Sequence, residues 1–227
     1  MSVTDRYQRP GDLPKIVPVF PLQSCILLPR TTLPLNIFEP RYLEMLDDVL
    51  AGDRLIGIIQ PRARSEDEES PSDNAAPLRK TGAVGRLTAF SETDDGRILI
   101  TLMGISRFDV VREAPSKGPY RCLEVDYGPY HADFIRGEGQ EDVDWARLLA
   151  VLKTYLTARD MSADWESIER SPAELLVNTL SMISPYGAEE KQALLESRTL
   201  KERSEVLMAL AQMDLATPED GSGSSMQ

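Results

Sequence analysis

One histidine, two cysteines and 37 acidic side chains are the groups from which this chain of 227 residues could assemble a reaction centre. Zinc sites of the His-Glu-x-x-His type need two imidazoles on one helix face, and His131 stands alone. A Ser-His-Asp triad would have to recruit that same His131, which lies in a polar stretch and reads as solvent-facing. Neither Ser-x-x-Lys nor Gly-x-Ser-x-Gly occurs. Gly52-Asp53-Arg54-Leu55-Ile56-Gly57 has the glycine spacing of a phosphate loop. Ile58 and Ile59 follow it, so no lysine charge reaches a phosphate, and the match is accidental. Cys25 sits in the apolar run Gln-Ser-Cys-Ile-Leu-Leu-Pro, which raises a thiol pKa and disfavours the nucleophilic thiolate. Cys25 and Cys122 both occupy strand-like apolar contexts and read as buried free thiols. Carboxylate pairs such as Asp47/Asp48 and Asp94/Asp95 arise by chance in so acidic a chain. The expectation is a protein with no catalytic residue, no metal ligand and no cofactor.

Charge narrows the partners. The formal net charge is −12, from 25 basic and 37 acidic side chains. Residues 1–128 carry −3 of it and residues 129–227 carry −9. Phosphate contacts need clustered Lys and Arg, so nucleic acid is not an expected partner. Apolar residues make up 41% of the chain and charged residues 27%, an ordinary globular balance. The longest apolar stretch, residues 16–28, is interrupted by Pro18, Pro21, Gln23 and Ser24, too short and too broken to span a bilayer. Residues 1–12 lack the apolar core of a secretory signal. No membrane association and a cytoplasmic location are expected.

The elements that must position any binding residues fall into two groups, an α+β arrangement. Lys15–Phe20 and Leu33–Phe38 read as strands. Pro18 places the first at an edge or a bulge, since proline cannot donate to a central ladder. Pro40 opens a helix carrying Tyr42, Leu43, Leu46, Val49 and Leu50, with Gly52 as its C-cap. Arg54–Gln60 is a buried strand. The acidic stretch 65–74, inside a loop from Pro61 to Lys80, has almost nothing to bury. Val84–Phe90 and Ile98–Met103 form a hairpin through Asp95-Gly96, and Ile105–Arg112 and Arg121–Tyr127 follow as further strands. About six short strands separated by turns predict a small barrel. Tyr130–Glu141 is a polar linker. Helical spacing then takes over with a Trp145, Leu148, Leu149, Leu152, Tyr155, Leu156 stripe. Ser171-Pro172-Ala173-Glu174 is a capping box for a helix bearing Leu176, Leu180 and Ile183. Glu189–Glu196 is a short helix with Leu194 and Leu195. Thr199-Leu200-Lys201-Glu202 is a second capping box, followed by Leu207, Leu210 and Met213. The division is a β-rich domain over 13–130, a helical bundle over 140–216 and a flexible tail over 217–227.

One stretch is more specific. Val17-Pro18-Val19-Phe20-Pro21-Leu22, Leu27-Leu28-Pro29, Pro34-Leu35 and Ile37-Phe38-Glu39-Pro40-Arg41-Tyr42 resemble the N-terminal, substrate-recognition domain of Lon-type ATP-dependent proteases. Gly82–Arg112, with Gly82, Val84, Gly85 and Gly104-Ile105-Ser106-Arg107-Phe108, is similar to the family's next block. Gly187–Arg203, with Glu190-Lys191-Gln192 and Leu194-Leu195-Glu196, is similar to its last. The resemblance covers roughly residues 15–214. It implies a PUA-like pseudo-barrel followed by a helical bundle, and a non-catalytic, bacterial, stand-alone module that binds unfolded or damaged polypeptide. These 227 residues leave no room for the ATPase and Ser–Lys peptidase modules of full-length Lon proteases. An adaptor or regulator of a separate Lon-type protease, and a small-ligand binder using a barrel pocket, are the other readings. Phe38, Glu39, Arg41 and Tyr42 are the candidate peptide-binding residues. Their bland reading is a strand end and helix start, with Phe38 and Tyr42 packed as an apolar staple and Arg41 paired with a carboxylate.

Overall fold

The computed structural model describes residues 6–62 and 76–216, so the acidic stretch 65–74 and the tail 217–227 lie outside the described residues. Six strands are followed mainly by helices. The strands are β1 (Ile16–Pro21), β2 (Thr32–Ile37), β3 (Leu55–Pro61), β4 (Leu78–Glu92), β5 (Ile98–Ala114) and β6 (Arg121–Asp126). The helix α1 (Pro40–Ala51) lies between β2 and β3. Later come α2 (Trp145–Ala158), α3 (Trp165–Arg170), α4 (Ala173–Ile183), α5 (Ala188–Glu196) and α6 (Leu200–Ala216).

The sheet runs β2-β5-β4-β3-β1-β6, and β6 also pairs with β5, which closes five of the strands into a barrel. Closure depends on the length of β5. Its first half pairs with β2 and its second half with β6. The two strands expected over 98–103 and 105–112 are therefore one. They bend together because the β4–β5 ladder shifts register between Val84 and Gly85 and again between Leu87 and Ala89, and such bulges curl a sheet. Gly104 permits the close approach of the preceding loop, since a Cβ there would lie 2.0 Å from the Leu28 carbonyl oxygen. The hairpin tip is as expected, with Gly96 at φ +78°.

β1 is not an edge strand. It lies between β3 and β6, yet its two pairings are staggered, β6 over residues 16–19 and β3 over 19–21. Pro18 thus has a neighbour on one side only, and this is how proline is accommodated inside the order. β3, buried from Leu55 to Gln60, pairs parallel with β1 and antiparallel with β4.

Two cores result. One surrounds the fully buried Phe108 with Val17, Val19, Val84, Leu123 and Val125. The other joins α1 and the loop Ile26–Leu28 to Leu148, Val177, Leu194 and Met208 of the helices, so it is shared by both parts of the chain. The stretch 130–141 is polar and mostly exposed or half-buried, but two of its residues anchor it. Gly128–Phe134 forms 3₁₀ turns that bury Tyr130 and Asp133. α3, which has no long apolar stripe to announce it, is capped by Asp164, whose carboxylate accepts from the Ser167 N–H.

Two helix-start expectations diverge. Thr199 does accept from the Glu202 N–H at 3.1 Å, and Glu202 accepts from the Arg198 N–H at 2.7 Å. The box at 171–174 does not form. The N-cap of α4 is Pro172, the Ser171 hydroxyl donates to the Ser167 carbonyl, and Glu174 is drawn away to an arginine.

Candidate functional site

Phe38, Glu39, Arg41 and Tyr42 stand where β2 gives way to α1. Glu39 is the N-cap of α1, and its carbonyl accepts from the N–H groups of Tyr42 and Leu43. Its carboxylate holds Arg41, 2.8 Å from Nη2, and the Arg41 guanidinium stacks 4.6 Å from the Tyr42 ring centre. The expected staple is replaced by another contact. The Tyr42 ring, 4% exposed, packs 4.2 Å from the ring of Phe20, whereas Phe38 remains 61% exposed. Of the four, Phe38 is the most exposed, and the Glu39 side chain is partly open to solvent as well.

A polar seam joins barrel to helices. Arg107 on β5 makes a two-pronged ion pair with Asp133, with Nη2–Oδ1 at 2.8 Å and Nε–Oδ2 at 3.0 Å; both side chains are buried. Its Nη1 donates to the carbonyls of Leu195 and Ser197, at the end of α5. Arg30 donates to Glu174 and to the Asp133 carbonyl, and Glu174 accepts in turn from the Gly137 N–H. Gln60 donates to the Ala188 carbonyl and to Gln192, which donates to the Thr81 carbonyl. Arg203 donates to the Leu194 carbonyl and to Asn178; its burial lowers its pKa to about 9. Every polar atom in this seam so described has a partner, as buried polar groups require. The seam fixes the two parts to one another and leaves no cation there unanswered for a ligand.

Among the described residues, a large apolar hollow lies in the helical part. It measures about 590 Å³ and opens between α2, the C-terminal end of α4 and the second half of α6. Its floor includes Leu152, Leu207 and Met208, all buried. Its walls include Leu156 and Leu180, and at the rim Met161 and Ile183 are 57% and 70% exposed. Tyr155, Arg159 and Asp214 form the polar mouth. The Tyr155 hydroxyl donates to Asp214 Oδ2 at 2.9 Å and Arg159 Nη2 donates to the same oxygen at 2.8 Å.

This groove was hidden in plain periodicity. The stripes Trp145–Leu156 and Leu176–Ile183 have the spacing of core faces. α6 instead buries Leu200, Arg203, Ser204, Leu207, Met208 and Ala211, leaving Leu210 half-buried and Met213 66% exposed. A stripe that turns away from its neighbours leaves their C-terminal ends uncovered. The available signal was the surplus, since three stripes extend to the ends of three helices with no fourth long apolar helix to close them.

The reactive groups do not converge. Cys122 is buried in β6, and Cys25 is half-buried in the turn after β1, outside any strand. Burial raises both thiol pKa values. His131 is exposed. Asp95 accepts from Thr93 within the hairpin turn and Asp48 accepts from the Tyr120 hydroxyl, so both serve local structure. Among the described residues no group of His, Cys, Asp or Glu could hold a metal ion. No helix among them is long and apolar enough to cross a membrane.

The fold matches solved structures. It superposes on the N-terminal domain of the Mycobacterium avium complex Lon protease with a TM-score of 0.62 at 21% identity, covering 87% of this chain and 98% of that one. The Lon N-terminal domain protein of Xanthomonas campestris gives 0.57 at 22% identity, covering 86% and 97%. The α+β fold is that of Lon N-terminal domains. The family described as ATP-dependent protease La (LON) substrate-binding domain matches residues 16–212, and the chain belongs to it. The Lon protease of Flavobacterium johnsoniae is 26% identical over 195 residues, 85% of this chain and 23% of its own length. That of Desulfosudis oleivorans is 30% identical over 200 residues, 84% and 23%. The chain spans about a quarter of the length of the curated relatives it matches.

Proposed function

We propose that this protein is a non-catalytic module that binds unfolded or damaged polypeptide. The observation that carries the reading is the open apolar groove of α2, α4 and α6 in a member of the substrate-binding family. Exposed apolar surface of this kind is costly in water unless a partner covers it. A groove of about 590 Å³ takes a few apolar side chains of an extended or helical segment, which a native protein keeps inside and an unfolded one displays. The exposed Phe38, with Arg41 behind it, forms a second and smaller contact. The groove is lined mainly by leucine, methionine and isoleucine, with Tyr155, Arg159, Asp214, Ser184 and Tyr186 as its polar residues, and so extensive an apolar lining favours chain segments over a small polar ligand. Peptide-bond cleavage and ATP hydrolysis are not proposed for this chain, because its likeness lies within a quarter of the relatives' length and burial holds both thiol pKa values up.

The test is fluorescence anisotropy with one labelled protein in its native and its permanently unfolded forms. Binding of the unfolded form alone, weakened at least tenfold by Ile183→Asp, is the expected result. Equal and negligible binding of both at tens of micromolar refutes the reading.

A further inference from the structure

The groove is not electrically neutral ground. Residues at the C-terminal ends of three helices line it: Arg159 caps α2, Ser184 caps α4, and Asp214 lies in the last turn of α6. Aligned peptide dipoles place partial negative charge at helix C-termini, which favours cations there. The protein already answers one of these ends in that way. The buried Lys191 ammonium donates to the carbonyls of Ser181 and Met182 at the end of α4. The Asp214 carboxylate adds a full negative charge at the mouth, and residues 129–227 carry −9 overall. The cation at the mouth, Arg159, is a side chain of the groove itself and is about one third exposed, as is Asp214.

Resting on the polypeptide-binding reading, we propose that the groove selects apolar segments that carry a lysine or arginine. The apolar side chains lie on Leu152, Leu156 and Met208, and the incoming cation takes the Asp214 carboxylate in place of Arg159. Charge complementarity sets this choice. An acidic segment meets Asp214 and the helix ends as like charges, and a neutral one gains only apolar burial. The exchange of one partly exposed cation for another leaves a modest preference, about fivefold, that weakens with salt.

The experiment uses the full chain and labelled peptides that share one Leu/Val/Phe core and differ only in flanking residues: Lys/Arg, Ser/Gln, or Glu. Anisotropy titrations at low and high salt are run on the wild type and on Asp214→Asn, Arg159→Gln and Ile183→Asp, each first checked for an unchanged thermal melt. The expected result is tightest binding of the basic peptide. Asp214→Asn brings it level with the neutral one, and Arg159→Gln strengthens it. Equal binding of all peptides, or a basic preference that survives Asp214→Asn, overturns the inference while binding that Ile183→Asp weakens at least tenfold leaves the polypeptide reading standing. No binding of any peptide removes that reading and this inference together.

Discussion

The core around Phe108 and the seam around Arg107 are built from adjacent residues of one strand and hold the molecule by opposite means. Phe108 is enclosed by apolar side chains that β1, β4 and β6 turn into the barrel interior. Arg107, pointing the other way, is answered by Asp133 and by backbone carbonyls of Leu195 and Ser197, about ninety positions on. Apolar packing is non-directional and tolerates substitution by bulk. A buried guanidinium requires specific acceptors and leaves a large cost if one is lost. The barrel is therefore defined by what it excludes, and its attachment to the helices by what it must satisfy. The groove is a third case, apolar surface that no neighbour covers.

The sharpest way to break this contrast is Asp133→Ala. It strands the Arg107 charge in the interior, and a loss of about 3–5 kcal/mol is expected in urea unfolding. If Arg107→Met in the Asp133→Ala background fails to recover part of that loss, the seam is not held together in the way described. Phe108→Ala comes next. It leaves a cavity flanked by Gly57 and Gly82, and it should cost about 3–5 kcal/mol while folding remains a single transition.

The pH dependence of Lys191 tests the helical side more gently. Burial lowers its pKa from 10.5 to about 8. Between those values the unfolded chain binds the proton and the folded chain has released it. Stability from this group therefore rises as pH rises from about 8 towards 10.5, and the charge costs most below 8. Unfolding free energies of the wild type relative to Lys191→Met should climb across that window, and a flat difference would falsify the assignment. The smallest effect belongs to the groove. Ile183→Asp, at a 70% exposed position, should change stability by less than about 0.5 kcal/mol while weakening polypeptide binding at least tenfold. A large stability loss there would show that Ile183 is core after all.

These contrasts mark what was legible in the residues. The strands β1, β2, β3 and β6, the Asp95-Gly96 turn, Pro40 at the start of α1 and Gly52 at its end are local patterns, and each formed close to where it was expected. The long β5 escaped because Gly104 looks like a break in sequence yet serves a close approach in space. Glu174 looks like the last member of a capping box because the motif spans four residues. Its partner, Arg30, lies 144 positions away, and no local spacing reports such a pairing. The same holds for the candidate site. Phe38 and Tyr42 look equivalent in the chain, but Phe20 takes one ring and solvent keeps the other.

By itself the sequence determined the α+β order of elements, the concentration of negative charge after residue 128, and the likeness to Lon substrate-binding domains. These follow from periodicity, composition and motif order, which need no knowledge of distant neighbours. Only the tertiary structure decided that the barrel closes through β5 and β6, that the stretch 130–141 is anchored by burying Tyr130 and Asp133, and that an apolar groove opens among α2, α4 and α6. The physical reason is the same in each case. Whether an apolar stripe becomes core or groove, and whether a charge becomes surface or seam, depends on what another part of the chain brings to meet it.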